Sequence, residues 1–501
     1  MRTIRPILAV LCGVLLANGG LASQSIQIQA KESLFGKAAA HSDFAQESLK
    51  TFTVFTLSNG IPVIIKRNTA NRVQHLSLVL AGGSLLQSTA DAGTEALALA
   101  VMARSSASYD YAHIQNLLDE TSSSIGQAAG FDSSSYSLNT LDTYFDRLLP
   151  IWADTLVNPV FSEKDFSQVL SDSRIALQSK EQDPWAKTSQ VMNADFFKGH
   201  PYGAPPEGTK ESLGAASLAG VRAWYGAAFS ANRIFLVAVG NFDVPKLKKS
   251  LEATIGTIPD RRVPLPKSIP PIRTSGTGKL LKQDYPQSKG VGYLRGDFPA
   301  PGPEDDDYMA LNVGMKMLSD LLFNVVRDKY GAVYSPGASI RAFNANYGTL
   351  SIFKTKVASV VKAYIDEAVA SLAAGYCLSV DPTLSGGADA EEPRMTIEQA
   401  LPVYKALFLN AYYEKQQTNA AVAAQIASSV IRSSDFRSYL LDSEKVQAVT
   451  AEGIRAALKK YLLEGTISWV ALGSKDVIDP IDQADFTVPF SARPELAKTK
   501  K

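Results

Sequence analysis

Two stretches of this 501-residue chain repeat each other at one fixed offset. Ser217-Leu218-Ala219-Gly220-Val221-Arg222-Ala223 matches Thr450-Ala451-Glu452-Gly453-Ile454-Arg455-Ala456. Further on, Leu236-Val237-Ala238-Val239-Gly240 with Asp243-Val244 matches Trp469-Val470-Ala471-Leu472-Gly473 with Asp476-Val477. Gly220 and Gly453, like Gly240 and Gly473, stand 233 positions apart. Each match begins at a hydroxyl residue suited to cap a helix and leads into a β-rich run. A shared offset over a helix and a strand points to a duplicated domain; the alternative is chance similarity. Each copy must then mix a sheet with helices, which is an α+β architecture.

The seam between the copies falls in the Pro-rich stretch Pro259 to Pro271, because Pro stiffens a linker and blocks both helix and central strand. The predicted organisation is a first domain over 51–262, a linker over 263–274, a second domain over 275–485 and a tail over 486–501. Residues 380–393, with Gly386-Gly387 and the acidic Asp389, Glu391 and Glu392, read as a surface loop. Ahead of the first domain, residues 23–50 read as an irregular arm. Residues 1–22 read as a secretory signal peptide: Arg2 and Arg5, then a short apolar core over 7–17, then small residues with cleavage after Ala22. Cys12 leaves a lipid anchor as the alternative. An exported location, in the periplasm, follows from that segment. No later stretch reads as a membrane span.

Composition narrows the chemistry. Lys and Arg number 50 against 49 Asp and Glu. That balance argues against a nucleic-acid partner, which calls for a basic excess. A 46% hydrophobic content excludes disorder over most of the chain. There are 4 His, none within a helical turn of another, and 2 Cys, of which Cys377 alone would remain after export. A disulfide framework is excluded, and Cys377 reads as a small apolar residue.

Phe52-Thr53-Val54-Phe55-Thr56-Leu57 and Ile61-Pro62-Val63-Ile64-Ile65, around Asn59-Gly60, signal a hairpin. Leu76 to Ala81 reads as a third strand. Helical patterns follow over 92–104, 110–119, 141–155 and 163–180. The first of these has almost no polar group in its middle and reads as a buried helix under a sheet.

The hairpin Leu57 to Val63, the strand Ser77 to Ser84, the Gly93 that opens the next helix, Asn158-Pro159-Val160-Phe161, Gly199-His200-Pro201-Tyr202-Gly203 and Val237 to Asp243 together resemble the pitrilysin/insulinase family of zinc metallopeptidases, which includes the mitochondrial processing peptidases. The resemblance runs in order from about residue 51 to 485. It implies two domains, each a mainly antiparallel sheet with helices on one face, forming half of a clamshell. Active members carry H-x-x-E-H on the first helix, two zinc ligands one turn apart with a general base between them. The matching positions here are Ala96, Leu99 and Ala100. A further Glu ligand from a later helix has no counterpart near Ala176 or Leu177. Glu95 is one position early and on another helix face, and Glu181 lies a turn late. No cofactor is expected in this chain.

In the second half, the family has an Arg and a Tyr seven apart that reach the active site of the other half. Arg327 and Tyr334 match with that spacing, and a guanidinium and a phenol can both donate to a carbonyl oxygen gaining charge. The alternative reading is a surface Arg and a Tyr packed in a sheet. The turn that the family places before this helix corresponds to Gly314 to Asp320, with a single Gly. The stretch Ser124, Ile125, Gly126, Gln127 and Ala128 matches an edge strand on which the family adds peptide substrate; the alternative is an ordinary Ser-rich edge. His200, His75 and the acidic run Glu304 to Asp307 read as structural. The expected function is a non-catalytic subunit of a heterodimeric zinc peptidase, with Arg327 and Tyr334 acting on the site of a zinc-bearing partner. The alternative is a polypeptide-binding or scaffolding protein that cuts nothing.

Overall fold

The hydrogen bonds of two sheets carry the duplication. A computed structural model describes residues 43–272, 278–378 and 394–492. The first sheet contains β1 (Phe52–Thr56), β2 (Pro62–Arg67), β3 (Val73–Ala81), β4 (Ser124–Ala129), β5 (Ser133–Leu141) and β6 (Ile234–Gly240), in the order β1-β2-β6-β3-β5-β4. The second contains β7 (Lys279–Asp284), β8 (Gly292–Pro299), β9 (Val333–Arg341), β10 (Tyr347–Thr355) and, late in the chain, β13 (Ser468–Gly473), in the order β7-β13-β8-β10-β9. Between them in sequence, β11 (Tyr376–Leu378) and β12 (Arg394–Thr396) form a separate two-stranded ribbon. In each large sheet the repeated strand, β6 or β13, sits between one parallel and one antiparallel neighbour. All other pairings in the two sheets are antiparallel. The strand that precedes each repeated strand in space is β2 or β7, and the far edge is β4 or β9.

The repeated helices are Leu218–Ala228 and Ala451–Leu458. Ser217 Oγ accepts from Gly220 N at 3.1 Å, and Thr450 Oγ1 accepts from Gly453 N at 3.0 Å. The same capping bond therefore starts both helices, each satisfying an N–H that the first turn leaves unpaired. The other early helices lie at Thr94–Met102, Tyr111–Glu120, Asp142–Val157 and Glu163–Gln182, close to their sequence-predicted places.

Each copy covers one face of its sheet with its own helices. In the first copy, Leu76, Leu78, Leu80, Leu236 and Ala238 pack with Leu97, Val101, Leu148, Trp152 and Val221. The opposite face is also apolar and is covered from the other copy. Ile64, Val79, Phe235, Val237 and Val239 meet Val422, Ala423, Ile426 and Val430 on the helix Asn419–Ser433. The exchange is reciprocal: Met192 and Phe196 on the helix Pro184–Phe196 pack with Tyr347 and Val470 of the second sheet. That is why β6 reads Ile-Phe-Leu-Val-Ala-Val with no alternation: both of its faces are buried.

Several boundaries differ from the sequence-based expectation. Residues 43–49 of the supposed irregular arm form the helix Asp43–Leu49, whose Ala45 joins the core shared with Ile426 and whose Phe44 meets the rings of Tyr412 and Tyr413. The second domain extends past 485, because Phe486 and Phe490 are buried in its core. The linker is packed, with Ile269 and Ile272 against Met192 and Phe197. Gly314 to Asp320 is no turn. It lies inside the helix Asp307–Leu322, where a Cβ on Gly314 would come within 3.0 Å of Leu458, so glycine permits a close crossing with the helix Ala451–Leu458. The continuous segment Asp307–Lys329 is long and apolar enough by length and composition to cross a membrane; its apolar character serves the second core, which buries most of its apolar stretch. The signal peptide, Cys12, residues 379–393 and the tail from 493 lie outside the described residues.

The exchanged helices make a definite expectation. Ile426→Ala and Met192→Ala should each cost about 2–5 kcal/mol in denaturant unfolding, with both copies melting in one calorimetric transition. Two separated transitions would show that the copies fold independently.

Candidate functional site

Gly93 starts the site. Its φ of 85° is left-handed, and a Cβ there would come within 2.8 Å of Gly208 Cα. Only glycine allows the 207–208 loop to lie so close to the start of the helix Thr94–Met102. That helix buries Leu97, Ala98 and Val101 against the sheet. Its other side, with Ala96, Leu99 and Ala100, faces a cavity of about 250 Å³. The helix Glu163–Gln182 contributes Ser173, Ala176, Leu177 and Lys180, one stripe at helical spacing. Gln127 and Ala129 of β4 and Glu207 complete the wall. The positions matched to metal ligands and base thus converge in space.

Their chemistry does not suit zinc, which takes nitrogen, sulfur or carboxylate oxygen donors. The floor is methyl groups and leucine side chains. The one carboxylate, on Glu207, is held by Lys180 Nζ at 2.9 Å, both half exposed. Among the described residues no group of three or more His, Cys, Asp or Glu could hold a metal.

Glu95 points elsewhere, as its helical phase requires. It is 1% exposed, and Arg233 Nη2 donates to its Oε2 at 2.8 Å. Ser134 Oγ donates to its other oxygen. Arg233 also donates from Nε to Ala81 O at 2.9 Å and from Nη1 to Ala228 O at 2.8 Å. This buried pair joins the helix to β3, β5 and β6. Sequence reasoning missed Arg233; the signal was present, since one charge of each sign stands at the start of a strongly apolar run, Glu95 in the helix Thr94–Met102 and Arg233 just before β6.

Arg327 and Tyr334 do come together. Arg327 lies in a widened π-type turn, Phe323–Lys329, and its guanidinium is 4.4 Å from the Phe323 ring centre and 5.9 Å from that of Tyr334. Tyr334, on β9, is 66% exposed and is not packed into the sheet. Arg327 makes no ion pair among the described residues. Phe353 links Tyr334 at 6.4 Å to Trp185 at 6.0 Å, between ring centres, so the pair borders the first copy. Among the described residues, no hydrogen bond or ring contact joins Arg327 or Tyr334 to the cavity.

Ser124 to Ala128 lie on β4, which pairs only with β5 and is the edge of its sheet. The duplicated edge β9 carries Pro336 and Arg341, residues that discourage strand addition. β4, Ser-Ile-Gly-Gln-Ala-Ala, has neither proline nor charge. The hairpin tip beyond β4 is fixed to the second copy. Tyr202 Oη donates to Asp132 Oδ1 at 2.6 Å, and Asn344 N donates to Asp132 Oδ2 at 2.9 Å. Burial pushes the Asp132 carboxyl above the usual range despite these donors. His200 Nδ1 accepts from Tyr202 N at 3.1 Å, and its Nε2 lies 2.8 Å from Pro270 O, a structural role as expected. Cys377 is buried, and burial pushes its thiol up to about 11.

Residues 62–210 match the family model described as Insulinase (Peptidase family M16), and residues 215–373 match the one described as Peptidase M16 inactive domain. An uncharacterized zinc protease of Mycobacterium leprae is 22% identical over 64% of this chain and 73% of its own length. The non-peptidase homolog YmxG of Helicobacter pylori is 21% identical over 40% of this chain and 46% of its own. Among solved structures, a peptidase M16 inactive domain from Pseudomonas fluorescens superposes with a TM-score of 0.71 at 18% identity, covering 84% of this chain and 98% of that one. The periplasmic protease PqqL from Escherichia coli gives 0.67 at 17% identity, covering 85% of this chain and 46% of that one.

Two measurements probe the site. Metal analysis after incubation with zinc and desalting should find far less than one zinc per chain; stoichiometric zinc would contradict the donor set. Glu95→Leu should cost about 3–5 kcal/mol by leaving Arg233 buried without a counter-charge, and adding Arg233→Met should recover most of it.

Proposed function

This chain belongs to the insulinase family (peptidase M16), without its zinc motif, and on that premise we propose that it is the non-catalytic subunit of an exported, periplasmic two-chain peptidase. A zinc-bearing homologue supplies the metal and the general base; this chain supplies the opposite wall, Arg327 and Tyr334. One observation carries the reading: the metal positions have become Ala96, Leu99 and Ala100, while Arg327 and Tyr334 stand side by side with no acidic partner on the guanidinium among the described residues. In the partner's site the Arg327 guanidinium and the Tyr334 hydroxyl donate to the substrate carbonyl. Fixed donors of this kind stabilise the oxygen as it gains charge and cost no reorganisation when it does. β4 offers main-chain groups along which an extended polypeptide can pair.

A second reading is a polypeptide-binding protein that cuts nothing. The name of the Helicobacter relative, a non-peptidase homolog, favours it. Co-purification and assay with a homologue that carries H-x-x-E-H separates the two. Under the first reading, adding this chain raises peptide cleavage, and Arg327→Ala or Tyr334→Phe lowers kcat by about 10²–10³-fold. A partner that cleaves equally well alone, or with either variant, refutes it; polypeptide binding without cleavage then supports the second.

A further inference from the structure

The cavity beside Ala96 and Ala100 opens onto β4. Ile125, Gln127 and Ala129 alternate onto the helix side of that strand: Ile125 packs with the core, and Gln127 and Ala129 line the cavity. A polypeptide added to the free edge of β4 places every second side chain on that same side, one of them at the cavity mouth. We propose that the cavity at the former metal positions is a side-chain pocket that takes one large apolar residue of an extended polypeptide paired to β4.

The lining supports this choice of guest. Ala96, Leu99, Ala100, Ala176 and Leu177 present only side-chain carbon to whatever enters, while the polar Ser173, Gln127, Lys180 and Glu207 share the wall. The volume of about 250 Å³ accommodates a leucine or phenylalanine side chain. A charged guest finds no free counter-charge, because Lys180 and Glu207 already hold each other, and its desolvation is unfavourable. With alanine and leucine at the three positions matched to the zinc motif, the cavity keeps its space and has carbon at its centre. The duplicated edge β9, with Pro336 and Arg341, carries no such invitation. The inference rests on the proposal that β4 pairs with an extended polypeptide.

The test uses the full chain and a fluorescein-labelled nonapeptide of alternating Thr and Ser with one central guest residue, read by fluorescence anisotropy. Leu and Phe guests should bind at least about 10-fold tighter than Gly, with Ala between and Asp no tighter than Gly. Ala100→Phe, or Ala96→Leu should the first variant not fold, should bring the Leu-to-Gly ratio to about 1. N-methylation of alternate backbone amides in the Leu peptide should abolish binding in one of its two phases. Binding that depends on those amides but not on the guest overturns the pocket and leaves strand addition standing. A guest preference that survives cavity filling also overturns the pocket. Binding insensitive to both N-methyl phases, or no binding by any peptide, overturns strand addition and the pocket together.

Discussion

The fold depends on a mutual debt between two sheets. Each has two apolar faces, and the helices of its own copy reach only one. An apolar sheet face left in water forfeits roughly 25 cal/mol for each Å², so neither copy is complete alone. The helix Asn419–Ser433 closes the first sheet and the helix Pro184–Phe196 closes the second. Polar groups fix the fit at its ends: Asn419 Nδ2 donates to Val73 O at 2.6 Å, and Tyr285 Oη donates to Gln182 O at 2.8 Å. This interlock sets the position of every functional element. The helix that carries Ser173 to Lys180 ends at the Tyr285 contact, and Trp185, just beyond, brings the first copy to Phe353 and Tyr334.

A second constraint acts inside the first copy. In a zinc-bearing relative, metal–ligand bonds help to hold the helix against its neighbours. Here the helix Thr94–Met102 is held by a buried ion pair whose guanidinium also bonds two main-chain carbonyls. A buried charge is tolerable only with such full satisfaction. The pair sits on the sheet side of the helix and the cavity on the other, so the loss of ligands on one side left the anchoring on the other intact. The cavity could then change chemistry without collapse.

Much of this was legible in the sequence because it is local or repeated. The 233-residue offset marked the two strands and two capped helices that prove equivalent, and helical periodicity placed the four early helices within a few residues. Ala96, Leu99, Ala100 and Ala176 were identified by resemblance, and the structure gathers them around one cavity. The covering of the second sheet faces was illegible, because Ile426 and Met192 lie far along the chain from the strands that they bury, Met192 from Tyr347 and Val470, and Ile426 from Ile64, Val79 and Phe235. Arg233 was passed over since its partner Glu95 stands 138 positions away. The same distance effect explains the boundary at 485: Phe486 and Phe490 look like tail until the core that they fill is known. Residues 307–329 show the opposite failure. Their apolar run escaped notice as a span-length segment, and only the surrounding core accounts for it.

The duplication supplies its own control for function. β4 and β9 descend to the same place at the edge of matching sheets, under the same pairing rules, so differences between them are not dictated by the fold. β9 holds Pro336, Arg341 and the projecting Tyr334; β4 holds uncharged residues beside a cavity with alanine and leucine at the positions matched to the zinc motif. An edge without guards is a liability in any sheet. A chain that guards one copy of an edge and leaves the other open has the means to close both. The open edge, the cavity behind it and the exposed Arg327–Tyr334 pair are therefore three separate departures from what stability alone would favour, and the proposed binding of an extended polypeptide would give each of them a use.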